Sequence, residues 1–206
     1  MNNWYFTADE HYGHPNAIAY CNRPFPGIET MDRVLIENFN SKVSPSDITV
    51  HVGDFSLAPW EQVKGYLKQL NGSHIFVKGN HDWWLKKSPL VWKHIWSHHF
   101  KGLNLKVVCC HYAMRTWQAS NHGSWQLHGH SHGSLRPIGR QQDVGVDVWN
   151  YFPVALEELL ELPHLQENRD DCNEIEKGAV CPSRHNRSNR DEGGATGPLA
   201  RYSDSS

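Results

Sequence analysis

The chain has 206 residues, with 22 Asp and Glu against 20 Lys and Arg and a formal net charge of -2. That length suits one ordinary domain with its own core, and the charge balance removes any bulk electrostatic case for nucleic-acid or membrane binding. No apolar run approaches the roughly 20 residues of a membrane helix, no leader is visible in MNNWYFTADEH, and the five cysteines form no CxxC pair, so a reducing, cytoplasmic setting is expected.

Short apolar or β-branched runs recur along the chain. WYFTA (4–8) is the first predicted strand. Met31, Val34, Leu35, Ile36 and Phe39 then outline an amphipathic helix with Thr30 as its N-cap. ITVHV (48–52) predicts a second strand, and PWEQVKGYLKQLNG a second helix, with Pro59 in the first turn and Asn71-Gly72 at its close. HIFVK (74–78), LKVVCC (105–110), SWQLH (124–128) and VGVDVW (144–149) predict further strands, and FPVALEELLEL (152–162) a last short helix. Past Pro163 the text turns polar and aperiodic, too poor in apolar surface to offset its ordering entropy. The expected division is a domain over 1–164 and a flexible tail over 165–206.

Five of these strands end on potential metal-binding groups. WYFTA runs into Asp9-Glu10-His11, ITVHV into Gly53-Asp54, and HIFVK into Gly79-Asn80-His81-Asp82. LKVVCC runs into His111, and SWQLH into His128-Gly129-His130-Ser131-His132. In an α/β fold the C-terminal strand ends form one rim, where ligand sites are built. The set is Asp, His and Asn without a thiolate, which suits manganese, iron or zinc. It is also too large for one tetrahedral ion, and two ions sharing a carboxylate would use it well. Gly53, Gly79 and Gly129 stand where a side chain would crowd the ligands.

In that order the motifs DEH (9–11), GD (53–54), GNHD (79–82), His111 and GHSH (129–132) resemble the five motifs of calcineurin-like metallophosphoesterases. FTADEHYGHPN, CNRPF and GVDVWNYFPV resemble a small bacterial and phage branch of that family. The resemblance covers residues 4 to about 160. It implies a layered αββα sandwich with a dinuclear site at the strand ends. It implies Asp9, His11 and His132 on one divalent ion, Asn80, His111 and His130 on the other, and Asp54 between them. Mn²⁺ leads as the expected metal, with Fe, Zn or Ni as alternatives. The implied reaction is phosphoester hydrolysis by a metal-activated hydroxide, with His81 as general acid. The chain departs from the protein-phosphatase pattern at GDFSLAP, where Leu57 replaces an aspartate that would orient the catalytic histidine. This argues against a protein-phosphatase assignment and leaves the orientation of His81 open, with Asp82 as a candidate to hold a loop or a histidine.

Around the rim, His14 and His128 are expected to contact substrate or to support ligands. Arg23 could reach a phosphate, and Tyr112, Arg115 and Trp117 could line the pocket. Ordinary loop packing is the alternative for each of these four, and Trp83, Trp84, Trp92 and Trp96 read as core or cap aromatics. The expected substrate is a phosphoester small molecule or nucleotide, monoester or diester. The alternatives are a nuclease on RNA or DNA ends and a non-catalytic metal-binding scaffold. No membrane partner is expected, and the oligomeric state is open.

Overall fold

The computed structural model of the chain describes residues 2–166. Among the described residues, nine strands form two sheets. The first contains β1 (Trp4–Thr7), β2 (Ile48–His51), β3 (Ser73–Val77), β4 (Trp92–Lys93) and β9 (Val154–Ala155), in the order β4-β3-β2-β1-β9. The second contains β5 (Ile95–Phe100), β6 (Leu105–Cys110), β7 (Trp125–His128) and β8 (Gln141–Asp143), in that order. Strands β1 to β4 run parallel, as do β6, β7 and β8, while β9 and β5 pair antiparallel with their neighbours.

Helices flank the sheets in a layered α/β arrangement. Helix α1 (Asn16–Tyr20) is a short turn after β1. Helix α2 (Ile28–Lys42) buries Met31, Leu35 and Phe39, one residue per turn along a single face. Gly27, not Thr30, is its N-cap, so Thr30 lies inside the first turn. Helix α3 (Trp60–Leu67) begins after Pro59, has Glu61 in its first turn, and buries Val63. The faces of α2 and α3 meet Tyr5, Phe55, Phe76 and Trp84 in one apolar cluster on the outer side of the first sheet.

A second cluster fills the space between the sheets. Phe6, Val50 and Val77 meet Trp96, Val107, Cys109, Trp125 and Leu127, and α4 (Leu156–Leu160) closes it with Leu156 and Leu159. Strand β5 escaped the sequence reading because IWSHHF interrupts its apolar residues with Ser97, His98 and His99. Its Trp96 and Phe100 nevertheless alternate inward, and the His98 ring stacks on Trp4 with centroids 4.9 Å apart.

The segment expected as a strand at 144–149 crosses from one sheet to the other instead. Val144 N donates to His128 O, Val146 N donates to Ala8 O, and Gly145 makes one parallel bridge with Ala8. Asn150 and Tyr151 then take left-handed φ values of 52° and 66°, which ends any extension. The expected helix at 152–162 divides into β9 and α4. Helix α5 (Pro163–Gln166) buries Leu165 in the inter-sheet core, so packing continues past the boundary expected at residue 164. Residues 167–206, most of the expected tail, lie outside the described residues.

Candidate metal centre

The rim is assembled by backbone contacts between strand-end turns. Asp9 N donates to Gly53 O, His11 N to Asp54 O and Tyr12 N to Phe55 O, which zips the first two turns together. Gly129 N donates to His111 O within the second sheet, and His130 N donates to Asp9 Oδ2 at 2.8 Å, linking the sheets. Asp9, His11, Asp54, His130 and His132 all have φ between 45° and 67°. Left-handed backbone at five non-glycine residues is unfavourable, and such geometry concentrates at functional sites.

Two groups of donors face one another. Asp9, His11 and His132 bring ligand atoms within 4.8 Å of each other, and so do Asp54, His111 and His130. The Asp54 carboxylate lies between them. Its Oδ2 is 3.9 Å from His11 Nε2, 3.3 Å from His111 Nε2 and 3.9 Å from His81 Nε2, while Oδ1 accepts from His81 N at 2.8 Å. Asn80 joins the second group, with Oδ1 3.1 Å from His111 Nε2.

The donor chemistry fits divalent cations. Asp9 Oδ1 is buried and has no hydrogen-bond partner, a costly state for a carboxylate unless a cation faces it. Burial pushes the Asp9 carboxyl up to about 7, because nothing nearby neutralises its charge sufficiently. His111 Nδ1 donates to Val52 O at 3.0 Å, so in the neutral ring Nε2 points a lone pair at the oxygens of Asp54 and Asn80. Only a proton or a cation makes that convergence favourable. Burial also acts on Asp54, but a doubly protonated His111 ring, one form of the proton or cation required there, outweighs it together with the His81 amide and holds the carboxyl down to about 2. Burial drives His11 down to about 3, leaving a neutral ring suited to ligation. The glycines match this crowding: a Cβ on Gly53 would overlap the His111 ring, one on Gly79 the Asp54 carboxylate, and one on Gly129 the Asp9 carboxylate.

The supporting residues include several that the sequence reading missed. His132 Nδ1 donates to Asp147 Oδ2 at 2.7 Å and lies 3.3 Å from Cys21 Sγ. Burial disfavours the charged ring, yet Asp147 raises its pKa to about 10. Such a carboxylate fixes ring orientation and tautomer in metal sites. Asp143 receives Ser131 Oγ, Gly133 N and Gly145 N, bracing the GHSH turn from below. The spacing of the two aspartates in DVGVDVW was the available signal, hidden by the strand expectation. Glu10 Oε1 lies 2.6 Å from His51 Nδ1, and His51 Nε2 lies 3.0 Å from His74 Nδ1, a buried polar chain behind the first turn.

Asp82 holds a loop and, among the described residues, makes no bond to a histidine side chain. Its carboxylate accepts from the amides of Asp54, Phe55, Ser56 and Gly79 and from Trp84 Nε1. His81 is half-buried, its ring 5.3 Å from that of His11 and 5.7 Å from that of His14. Leu57 is 43% exposed.

The residues expected around the rim fall into buried supports and more accessible neighbours. Arg23 does not face the rim: it is buried, with Nε and Nη2 on Asp147, Nη1 on Glu10 O and Nη2 also on Asp9 O. Four of its five N–H bonds tie the first turn to the carboxylate behind His132, which corrects the phosphate contact expected for it. His128 is buried too, donating Nδ1 to Gly129 O at 3.0 Å, so it supports the turn from inside and is not open to substrate. His14 lies beside the site, its Nδ1 3.4 Å from His11 Nδ1. Tyr112 is exposed and places its hydroxyl 3.4 Å from Asn80 Oδ1 and its ring 4.7 Å from His130. Arg115 is exposed, and Trp117 is half-buried and donates Nε1 to Ser124 O. Trp84 and Trp96 are core residues, as the sequence implied, but Trp83 is 61% exposed.

Two candidate clusters on a layered α/β scaffold are consistent with a calcineurin-like dinuclear-metal fold. No family model matches the chain. A crystal structure of a protein of unknown function, AQ665 from Aquifex aeolicus, superposes with a TM-score of 0.61 at 21% identity, covering 78% of this chain and 99% of that one, a likeness of fold alone. The uncharacterized protein MJ1445 of Methanocaldococcus jannaschii is 32% identical over 189 residues, which is 87% of this chain and 95% of the relative. At that identity and coverage, the chain belongs to the family of MJ1445.

Proposed function

We propose that the chain is a metal-dependent phosphoester hydrolase of the calcineurin-like class, acting on a small-molecule or nucleotide phosphoester. Asp9, His11 and His132 hold one divalent ion, Asn80, His111 and His130 the second, and Asp54 serves both. The observation that carries this reading is the Asp54 carboxylate, facing His11 on one side and His111 on the other. Divalent ions held there, Mn²⁺ first among them, supply Lewis acidity towards phosphoryl oxygens and water.

The protein's own share is positioning and proton transfer. The Asp147–His132 bond and the buried Arg23 keep the first set of ligands in one arrangement. His81 has its backbone amide fixed to the Asp54 carboxylate and its half-buried ring Nε2 3.9 Å from Oδ2, a position suited to protonating a leaving oxygen beside the ligand sets. Tyr112, exposed beside Asn80 and His130, borders the same opening.

The test pairs elemental analysis with hydrolysis of p-nitrophenyl phosphate and bis-p-nitrophenyl phosphate after Mn²⁺ addition. About two ions per chain and metal-dependent turnover are expected, and Asp54→Asn removes both. His81→Ala keeps the metal and loses most rate on esters with poor leaving groups, by about 10²–10⁴-fold. A protein that binds no ion and turns over neither ester overturns the reading.

A further inference from the structure

The rim beside Asn80 and His81 carries a feature that the hydrolytic reading does not use. Trp83 N donates to His81 O at 2.8 Å, so the indole stands two residues from the expected acid. That indole is 61% exposed. Lys86 Nζ lies 5.0 Å and Lys78 Nζ 5.3 Å from its ring centroid. Lys78 N also donates to Lys93 O at 2.7 Å, which brings a third lysine to the same strand ends.

These cations have no carboxylate partner among the described residues. The chain from Trp83 to Gln142 contains no Asp or Glu at all, although the protein as a whole has a net charge of -2. Asp82, just before it, is buried under backbone amides. Arg115 and Tyr112 are exposed in the loop after β6, and the Tyr112 hydroxyl lies 3.4 Å from Asn80 Oδ1. Lysine ammoniums and exposed aromatic rings therefore adjoin Asn80 and His81 in the sequence and Asn80 and His130 in space, while acidic residues such as Glu29, Glu37, Glu61, Glu157 and Glu158 sit on other elements.

We infer that this rim is a binding platform for single-stranded oligonucleotide, with Trp83 stacking a base and Lys78 and Lys86 taking the adjoining phosphates. The inference rests on the phosphoesterase reading for what happens to the strand, because the platform delivers a phosphodiester towards His81. A lone indole between two ammonium groups suits this ligand in particular. A base has a π-face for the ring, and a phosphate on either side takes up the ammonium that the base displaces. A compact phosphomonoester without a base would leave the ring unused, and a single nucleotide would engage the ring but offer one phosphate to two lysines. Duplex DNA keeps its bases stacked internally and offers no face to Trp83.

The experiment measures binding of the full, metal-free chain to fluorescein-labelled deca-thymidylate by anisotropy, so that it does not depend on turnover. Deca-thymidylate is expected to bind at least tenfold more tightly than thymidine monophosphate, with affinity falling steeply as salt rises. Trp83→Ala weakens it by about tenfold, and Trp83→Phe by much less. Lys78→Gln with Lys86→Gln lowers the salt slope by about 1.4. Equal binding of monophosphate and decamer, an unchanged affinity in Trp83→Ala, or full displacement of the decamer by polyglutamate would each overturn the inference. Preference for a duplex of the same length would overturn it as well. Hydrolysis of nitrophenyl esters without decamer binding refutes the platform alone, and decamer binding without any hydrolysis refutes the enzyme alone.

Discussion

Asp82→Asn tests whether one buried carboxylate holds the loop that carries Asp54. Oδ2 of Asp82 accepts from Asp54 N at 2.8 Å and Gly79 N at 2.9 Å, and Oδ1 accepts from Phe55 N at 2.9 Å and Trp84 Nε1 at 3.0 Å. Asparagine has one acceptor oxygen and one NH₂ group. In either orientation the NH₂ meets at least two N–H donors (three on the Oδ1 side, where Ser56 N lies at 3.3 Å), so at least two strong bonds are lost and two buried donors are orphaned. At about 1.5–3 kcal/mol for each bond to a charged acceptor, the loss is about 3–6 kcal/mol. That is a large share of a typical stability of about 5–15 kcal/mol. For a domain of this size the melting temperature falls by about 6–24 °C. Because Asp54 moves with the loop, Mn²⁺ affinity falls as well, by about 10–100-fold on the scale of other supporting residues at metal sites. Thermal melts followed by circular dichroism and Mn²⁺ titration of the folded variant read both effects. A variant that melts within about 3 °C of the parent and binds Mn²⁺ equally would refute the assignment of Asp82 as the organiser of this loop.

Removing one partner of the buried Arg23–Asp147 pair leaves an uncompensated charge. Asp147→Ala costs about 3–5 kcal/mol in urea unfolding, whereas the double variant Arg23→Leu/Asp147→Leu loses less, and a double variant as unstable as the single one would show that the charges are not the cause. Burial drives His74 down to about 3, so below its ordinary value near 6.5 the unfolded chain takes up a proton that the folded one resists. Stability therefore falls as pH drops, by up to about 1.4 kcal/mol per unit from this group. Urea midpoints at about pH 7 and 5.5 should show a smaller drop in His74→Gln, and equal drops would exclude His74 as a source. Gly79→Ala places a methyl group against the Asp54 carboxylate and amide. The far-ultraviolet dichroism is expected to persist while Mn²⁺ stoichiometry falls, and full metal loading would show that the turn has slack.

The strand ends were legible because each ends in a short polar motif that interrupts an apolar run. Asp9, Asp54, Asn80, His111 and His130 meet at one rim only through sheet pairing, yet the α/β pattern was enough to expect it. The helix faces of Met31, Leu35 and Phe39 were legible from period alone. The supports were not. Arg23 sits in a loop motif where an arginine looks free, and its burial depends on Asp147, 124 positions away. The outer strands of the second sheet were hidden for a related reason: β5 (IWSHHF) breaks its apolar residues with Ser97, His98 and His99, and β8 (QQD) is polar yet buried by its neighbours. Pattern reading sees what a segment prefers by itself, and these segments take their environment from distant partners.

The two ligand sets each draw on both sheets, and this has a consequence for synthesis. Asp9 and His11 follow β1 in the first sheet, but their third partner, His132, follows β7 in the second. Asp54 follows β2, but His111 and His130 belong to the second sheet. A growing chain therefore displays Asp9, His11, Asp54 and Asn80 well before any histidine that completes either set. The gap from Asn80 to His132 is about fifty residues, roughly 3–10 s of elongation at ~5–20 residues per second. During that interval no ion can find a finished seat, whichever metal the surroundings offer. If the two sets hold metal as proposed, loading is deferred until the second sheet has been made and docked, and the choice of metal falls to the pool met by the folded protein.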